Sequence, residues 1–191
     1  KTFRVEQGHW VLIHAAAGGV GQILVQWAKH LGAHVIATVG NEAKAAIARE
    51  LAADHVLVLD GGVFSTRVRA IVKEGVHVVY DGVGADTWRG SLDSLRPLGM
   101  MVSYGNASGP PPEINPLLLS QKGSLFLTRP TLFHYTTTTE QLDETAADLF
   151  RVVEQGAVKI APPTGYALAD ASQAHRDLEA RKTTGSLVLM P

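Results

Sequence analysis

The sequence contains no cysteine among its 191 residues. Disulfide bonds, thiolate zinc sites and cysteine catalysis are therefore excluded, and we expect a cytoplasmic protein. Charge is nearly balanced, with 17 basic and 18 acidic side chains and no basic stripe, so we predict no binding to nucleic acid. No apolar run reaches the roughly 18 residues of a membrane span, and we predict no association with a membrane.

Histidine does not replace cysteine as a candidate metal ligand. The eight histidines show no spacing typical of a metal site. They are His9, His14, His30, His34, His55, His77, His134 and His175. We predict no metal site, and we expect each histidine to be either a surface residue or a hydrogen-bonded core residue.

Apolar runs alternate with helical patterns over the first hundred or so residues. Strands are predicted at 9–16, 34–40, 55–59, 76–84 and 100–105. Helices are predicted at 19–32, 41–53 and 64–75, with Asn41 capping the second of them. The stretch 86–99 contains a fourth helix, which must end before Pro97. This alternation predicts an α/β fold, a Rossmann-type doubly wound parallel sheet with both faces covered.

The pattern changes after residue 105. We predict a proline-rich loop at 106–118, a strand at 124–133 and an amphipathic helix at 140–156. A C-terminal strand, helix and strand follow, with Asp170 as a cap of that helix.

A glycine cluster joins the first predicted strand to the first helix. It reads Ala16-Ala17-Gly18-Gly19-Val20-Gly21, a dinucleotide-binding fingerprint with alanine in place of its first glycine. Gly18 would let a pyrophosphate approach the backbone, and Gly21 would let the helix pack on the strand. The alternative is a cluster that only turns the chain, but the strand–helix context favours a cofactor loop.

The end of the second strand indicates which cofactor binds. NAD sites usually place an acidic residue there for the ribose 2′-hydroxyl, whereas this strand ends in Gly40 and the only nearby acid, Glu42, begins a helix. Lys44 lies within the first turn of that helix and could pair with a 2′-phosphate. We therefore predict NADP(H), the alternative being that Lys44 is an ordinary surface lysine.

Several motifs together resemble one known family. "VLIHAAAGGVGQILVQWAKHLGAHVIATVG", "VVYDGVGADTW", "SLDSLRPLGMMVSYGNASG", "QKGSLFLTRP" and "LEARKTTGSLVLMP" are similar to the zeta-crystallin-like quinone oxidoreductases of the zinc-free medium-chain dehydrogenase/reductase superfamily. The resemblance implies an NADP(H)-binding Rossmann domain at 1–157. It also implies that 158–191 is the C-terminal segment of a catalytic, GroES-like domain whose N-terminal part is absent from this chain.

The resemblance assigns cofactor-binding roles to residues in four places. They are Gly18, Gly19 and Val20 at the pyrophosphate, Gly40 and Lys44 at the 2′-phosphate, Tyr104, Gly105 and Asn106 beside the nicotinamide, and Arg181 near the closed cleft. One departure weakens the NADPH assignment: Leu59 and Asp60 stand where the family often has a tyrosine. Asp60 could instead be a loop residue that points to water.

The implied reaction is hydride transfer from NADPH to a quinone or another conjugated carbonyl. No catalytic residue is identified, since Tyr80 and Asp81 are interpreted as a strand end that lines the cofactor cleft. The resemblance also implies a homodimer formed through the edge strand at 124–130. Two alternatives stay open, an enoyl reductase-type module and a non-catalytic, crystallin-like nucleotide-binding protein. We expect this chain alone to bind nucleotide weakly and not to turn over quinone.

Overall fold

The fold is built around a parallel sheet in the order β3-β2-β1-β4-β5-β6. The computed structural model describes residues 1–180 and 182–191. The six strands are β1 (Trp10–Ile13), β2 (His34–Val39), β3 (His55–Val58), β4 (Val76–Asp81), β5 (Leu95–Ser103) and β6 (Phe126–Thr128). The order of a Rossmann fold, predicted from the sequence, is confirmed, and the direction of winding reverses between β1 and β4.

Helices connect these strands and cover both faces of the sheet. They are α1 (Gly19–His30), α2 (Glu42–Glu50), α3 (Phe64–Ile71), α4 (Trp88–Ser94), α5 (Leu117–Gln121), α6 (Thr139–Glu154) and α7 (Ala171–Glu179). The side chain of Asn41 accepts a hydrogen bond from the Lys44 N–H, which confirms the predicted cap of α2.

Two buried clusters form the core, one on each face of the sheet. Val11 and Ile13 of β1 pack with Val25 of α1 and Ala45 of α2. The residue between them, Leu12, belongs to the other cluster, with α3 and α4. This alternation shows why β1 is apolar at every position: both sides of the sheet are buried.

The C-terminal segment forms a small structure of its own. β7 (Thr164–Ala167) and β8 (Leu187–Met190) pair in parallel, and α7 lies between them in the chain. The predicted strand–helix–strand order is therefore confirmed. Asp170 occupies the N-cap position of α7, but within the described residues its side chain makes no capping hydrogen bond. The prediction of Asp170 as the cap residue is confirmed by this position, although its side chain does not form the capping bond.

Three predicted boundaries are wrong. The loop at 106–118 ends in α5, and the strand at 124–133 is only three residues long before a short 3-10 helix at Leu132–His134. The helix predicted within 86–99 ends at Ser94, before Pro97 as predicted, but the strand predicted at 100–105 already begins at Leu95 and includes Pro97. Pro97 is tolerated in a strand because the register with β4 is irregular there: Val76 pairs with Leu95, but Val78 pairs with Met100.

Candidate functional site

The turn after β1 lies where the winding of the sheet reverses. Ala15 has a positive φ of 51°, and the Gly18 N–H donates to its carbonyl at 2.9 Å. The Ala16 N–H donates to the Thr38 carbonyl of β2, and Ala16 is fully buried. The turn is therefore hydrogen-bonded to β2, and the chain continues from it directly into α1.

The first turn of α1 faces outward from the sheet edge. Gly18 is its N-cap and has no side chain with which to cap it. The hydrogen bonds of the helix begin with the Gln22 N–H, which donates to the Gly18 carbonyl. The N–H groups of residues 19–21 therefore have no acceptor within the helix, and the Val20 side chain is 57% exposed.

Gly21 packs against the turn itself. A Cβ atom at this position would lie 2.3 Å from the Ala15 carbonyl oxygen and 2.8 Å from the Ala16 Cα. No side chain fits at these distances, so Gly21 is needed for the close approach of helix and turn, as the sequence predicted. Gly18 is less tightly enclosed, because its Cβ would be 3.2 Å from the same oxygen.

A buried polar network joins β1, β2, β4 and α4 beneath this turn. Nδ1 of His14 lies 2.7 Å from the Thr38 hydroxyl, and Nε2 lies 2.9 Å from the Ser91 hydroxyl. The Ser91 hydroxyl donates its only hydrogen to a carboxylate oxygen of Asp81 at 2.8 Å, so its oxygen must accept a hydrogen bond from the Nε2–H of His14. Burial lowers the pKa of His14 to about 4 against the opposing effect of Asp81, and its imidazole is neutral at physiological pH.

Asp81 anchors the turn that follows β4. Its carboxylate accepts hydrogen bonds from the Thr87 hydroxyl and from the Val83 and Gly84 N–H groups. The side chain is fully buried. The Asp81 oxygens are turned inward and are occupied by the turn, whereas the interpretation of this strand end as the lining of a cofactor cleft stays a prediction.

The Tyr104–Asn106 turn at the end of β5 packs on the turn after β4. The Tyr104 N–H donates to the Asp81 carbonyl at 2.8 Å. A Cβ at Gly105 would lie 2.5 Å from the Gly82 carbonyl oxygen, and a Cβ at Gly82 would meet the Tyr104 ring at 2.9 Å. Burial, reinforced by the Asp81 charge, raises the pKa of Tyr104 to about 12, whereas Asn106 is exposed.

Arg129, which the sequence did not single out, reaches this turn from the end of β6. One of its guanidinium nitrogens donates to the Ser103 carbonyl at 2.9 Å and to the Gly105 carbonyl at 3.1 Å. Only its position after a short apolar strand could have drawn attention to it.

The residues predicted to surround a 2′-phosphate lie at the far side of the turn after β1. Gly40 is exposed, and a Cβ built on it meets nothing within 4 Å among the described residues. Lys44 is half-buried in the first turn of α2. Leu59 donates its N–H to the Val39 carbonyl, and Asp60, which is exposed, accepts from the Gly62 N–H.

The C-terminal segment touches the glycine-rich turn. The Gly185 N–H donates to the Ala17 carbonyl at 3.1 Å, and Gly185 forms an isolated parallel bridge with Gly18. A Cβ at Gly19 would lie 3.1 Å from the Ser186 hydroxyl oxygen. Arg181, the last predicted site residue, lies outside the described residues.

The structure thus brings the predicted loop residues to one edge of the sheet, the carboxyl ends of its strands. In the part of the chain that the structure describes, no three His, Asp or Glu side chains are grouped as a metal site would need, and no helix is long and apolar enough to cross a membrane. The absence of metal binding therefore stays a prediction.

Comparison with known proteins gives consistent matches. A quinone oxidoreductase of Pseudomonas aeruginosa is 46% identical over 192 residues, which cover all of this chain and 59% of that protein. A 2-haloacrylate reductase of Burkholderia is 45% identical, and the match covers all of this chain and 58% of that protein. The crystal structure of the Escherichia coli quinone oxidoreductase complexed with NADPH superposes with a TM-score of 0.95 at 45% identity, again over the whole of this chain and 60% of that one.

The chain spans a little under 60% of the length of these relatives. The model of the zinc-binding dehydrogenase family matches residues 19–151, from the first turn of α1 to the last turn of α6. The chain therefore belongs to the zinc-binding dehydrogenase family, with quinone oxidoreductases among its relatives.

Proposed function

We propose that the protein is an NADPH-dependent oxidoreductase that transfers a hydride to a quinone or a related conjugated carbonyl. The chain described here would supply the NADP(H)-binding part. The observation that carries the proposal is the glycine-rich turn at the reversal of the sheet, which presents the uncapped first turn of α1. Such a helix start favours a pyrophosphate, because its N–H groups and the helix dipole both attract negative charge.

The residues present fit such a cofactor. Gly18 and Gly19 would hold the pyrophosphate together with the exposed Val20, and Gly21 would keep the helix close to the strand. Gly40 leaves open space at the end of β2, and Lys44 stands one helical turn away from it. When bound, NADPH would supply the hydride, and the protein would orient the cofactor and exclude water.

The test is the affinity of the chain for NADPH and NADH, measured by calorimetry for the wild type and for Lys44→Ala. We expect the variant to lose roughly tenfold to hundredfold of its NADPH affinity, because a charged hydrogen bond to the 2′-phosphate is lost. Its affinity for NADH should not change. Lys73→Ala is the control, since it removes the same charge after α3, at the opposite edge of the sheet.

Equal affinity of the wild type for the two nucleotides would contradict the proposed preference for NADPH. Failure to bind either nucleotide would contradict the proposed cofactor itself.

A second candidate substrate class is a carbon–carbon double bond conjugated to a carboxylate. The 45% identity to a 2-haloacrylate reductase supports it, because the identity to the bacterial quinone oxidoreductases is hardly higher, at 45–48%. NADPH oxidation by a protein as long as these relatives, with a quinone in one assay and 2-chloroacrylate in another, would separate the two classes. Turnover of quinone by this chain alone would contradict our expectation that it does not turn over quinone by itself.

We also propose a homodimer formed through β6. This strand lies at the edge of the sheet, and Phe126 within it is 55% exposed. An apolar edge strand is a template for pairing with a second strand. Light scattering coupled to size-exclusion chromatography should give the mass of a dimer for the wild type and of a monomer for Phe126→Lys; a wild-type monomer would contradict the proposal.

A further inference from the structure

Arg129 links the edge of the sheet to the turn after β5. It follows β6 directly, and its guanidinium extends across to the end of the neighbouring strand. There one nitrogen, Nη1, donates to the Ser103 carbonyl at 2.9 Å, to the Gly105 carbonyl at 3.1 Å and to the Ser103 hydroxyl at 3.3 Å. A single group thus contacts the residues on both sides of Tyr104.

The opposite side of the same turn is fixed by the backbone. The Tyr104 N–H donates to the Asp81 carbonyl, and Gly105 packs on Gly82 so closely that a Cβ would lie 2.5 Å from the Gly82 oxygen. The turn is therefore held between the end of β4 and the arginine. Without Arg129, the Gly105 carbonyl would have to turn towards water, and one of the two supports would be lost.

The position of the turn indicates what it serves. In a doubly wound sheet, a dinucleotide crosses the point where the winding reverses, with one nucleotide above each half of the sheet. The adenosine half belongs above β1, β2 and β3, beside Gly40 and Lys44. The other nucleotide must then lie above β4, β5 and β6, where the turn at 104–106 stands.

We propose that Arg129 is a positioning residue, which holds the turn at 104–106 in the shape that the nicotinamide half of the cofactor requires. The inference rests on the proposed binding of NADP(H). Arg129 acts through the backbone of Ser103 and Gly105 rather than by touching the cofactor. A lysine does not replace it, because its side chain is shorter and its ammonium lacks the reach of a guanidinium.

The test compares NADPH with 2′-phosphoadenosine diphosphoribose, which lacks only the nicotinamide. Calorimetric affinities are measured for the wild-type chain, Arg129→Ala and Arg129→Lys. We expect the wild type to bind NADPH more tightly than the analogue. Both variants should bind NADPH about tenfold more weakly and the analogue as well as the wild type does.

Arg69→Ala is the matched control. Like Arg129, Arg69 donates to backbone carbonyls, but these are the carbonyls of Lys73, Asp93 and Leu95, near the amino end of β5. Its loss should lower stability without distinguishing the two ligands. Hydrogen exchange gives a readout free of ligand: the Tyr104 and Ala107 amides, which donate to the Asp81 and Gly82 carbonyls, should exchange faster in Arg129→Ala and Arg129→Lys than in the wild type and in Arg69→Ala.

Each outcome supports or overturns the proposed cofactor, the proposed role of Arg129, or both. If the wild type binds neither ligand, the proposed cofactor and the role of Arg129 both fail. If it binds the two ligands equally, or if the Arg129 variants weaken both ligands alike, only the role of Arg129 is overturned. Arg129→Lys keeps the charge, so a lysine variant that behaves like the wild type would also overturn it, in favour of a purely electrostatic effect.

Discussion

Gly21 is the described glycine at which an added Cβ would make the shortest contact. Its Cβ would lie 2.3 Å from the Ala15 oxygen, and backbone atoms cannot move aside cheaply. We expect Gly21→Ala to lower the free energy of unfolding by about 3 kcal/mol or more, measured by urea denaturation. Gly40→Ala is the control: no described atom lies within 4 Å of its Cβ, so stability should hardly change. Equal losses in the two variants would contradict the packing argument.

His14 makes stability depend on pH. Its pKa is about 4 in the folded protein and 6.5 in the unfolded chain, because burial disfavours the imidazolium. The unfolded state therefore binds the proton first, and stability is lost as the pH falls from 6.5 towards 4. Between pH 7 and pH 5 this loss amounts to about 2 kcal/mol.

His14→Gln isolates this contribution, since glutamine can still meet Thr38 and Ser91 without titrating. The fall in unfolding free energy between pH 7 and pH 5 should be about 2 kcal/mol smaller than in the wild type. His77, whose pKa burial also lowers to about 4, contributes to the wild-type slope, and His77→Gln serves for comparison. An unchanged slope in His14→Gln would exclude the proposed role of burial.

Single residues could be predicted where a local rule applies, as for Gly21 in a helix start and Asn41 in a cap. His14 and Arg129 could not, because their partners lie far away in sequence. His14 meets Ser91, 77 residues later, and Arg129 meets Ser103, 26 residues earlier. No pattern in a single sequence pairs such positions, since only the order of the strands brings them together.

At the scale of the element, α2 depends on its N-terminal cap. The Asn41 side chain accepts from the Lys44 N–H at 2.9 Å, and Glu42 adds a favourable charge in the first turn. We expect Asn41→Ala to lower stability by about 1 kcal/mol and Asn41→Gly by only a few tenths. Thermal unfolding of the two variants checks this order. A glycine variant less stable than the alanine variant would show that the cap is not the cause.

Elements were predicted best where the alternation of apolar and helical patterns is strong, as in β1 to α3. They were predicted poorly where the chain departs from regular pairing. The helix before Pro97 was predicted to end before it, and it does, but the next strand was predicted to begin at residue 100. It begins at Leu95 instead, and Pro97 fits inside β5 because the register with β4 shifts there. The short β6 was over-extended because its apolar pattern continues into residues that form a 3-10 helix.

At the scale of the whole molecule, α1 holds the C-terminal segment. The Gln26 amide donates to the Lys159 carbonyl at 3.1 Å and accepts from the Lys159 N–H at 2.9 Å, as a neighbouring strand would. We expect Gln26→Ala to speed hydrogen exchange at the Lys159 amide about fivefold, because one hydrogen bond is lost. Mass spectrometry of the exchanged chain measures it.

Gln121→Ala, at the exposed end of α5, is the matched control and should leave that exchange unchanged. The same rate at Lys159 in the wild type and in Gln26→Ala would mean that other contacts hold the segment. The segment also touches the glycine-rich turn through Gly185, whose N–H donates to the Ala17 carbonyl.

The sequence by itself determined the class of fold and the place of the glycine-rich turn. Apolar periodicity and glycine spacing are local patterns, and they can be recognised without knowledge of tertiary contacts. The tertiary structure alone decided that Asp81 is buried, that His14 is neutral and that Arg129 braces the turn after β5. Each of these follows from burial and from neighbours brought together by strand order, and burial sets the energy of a charge or of a hydrogen bond.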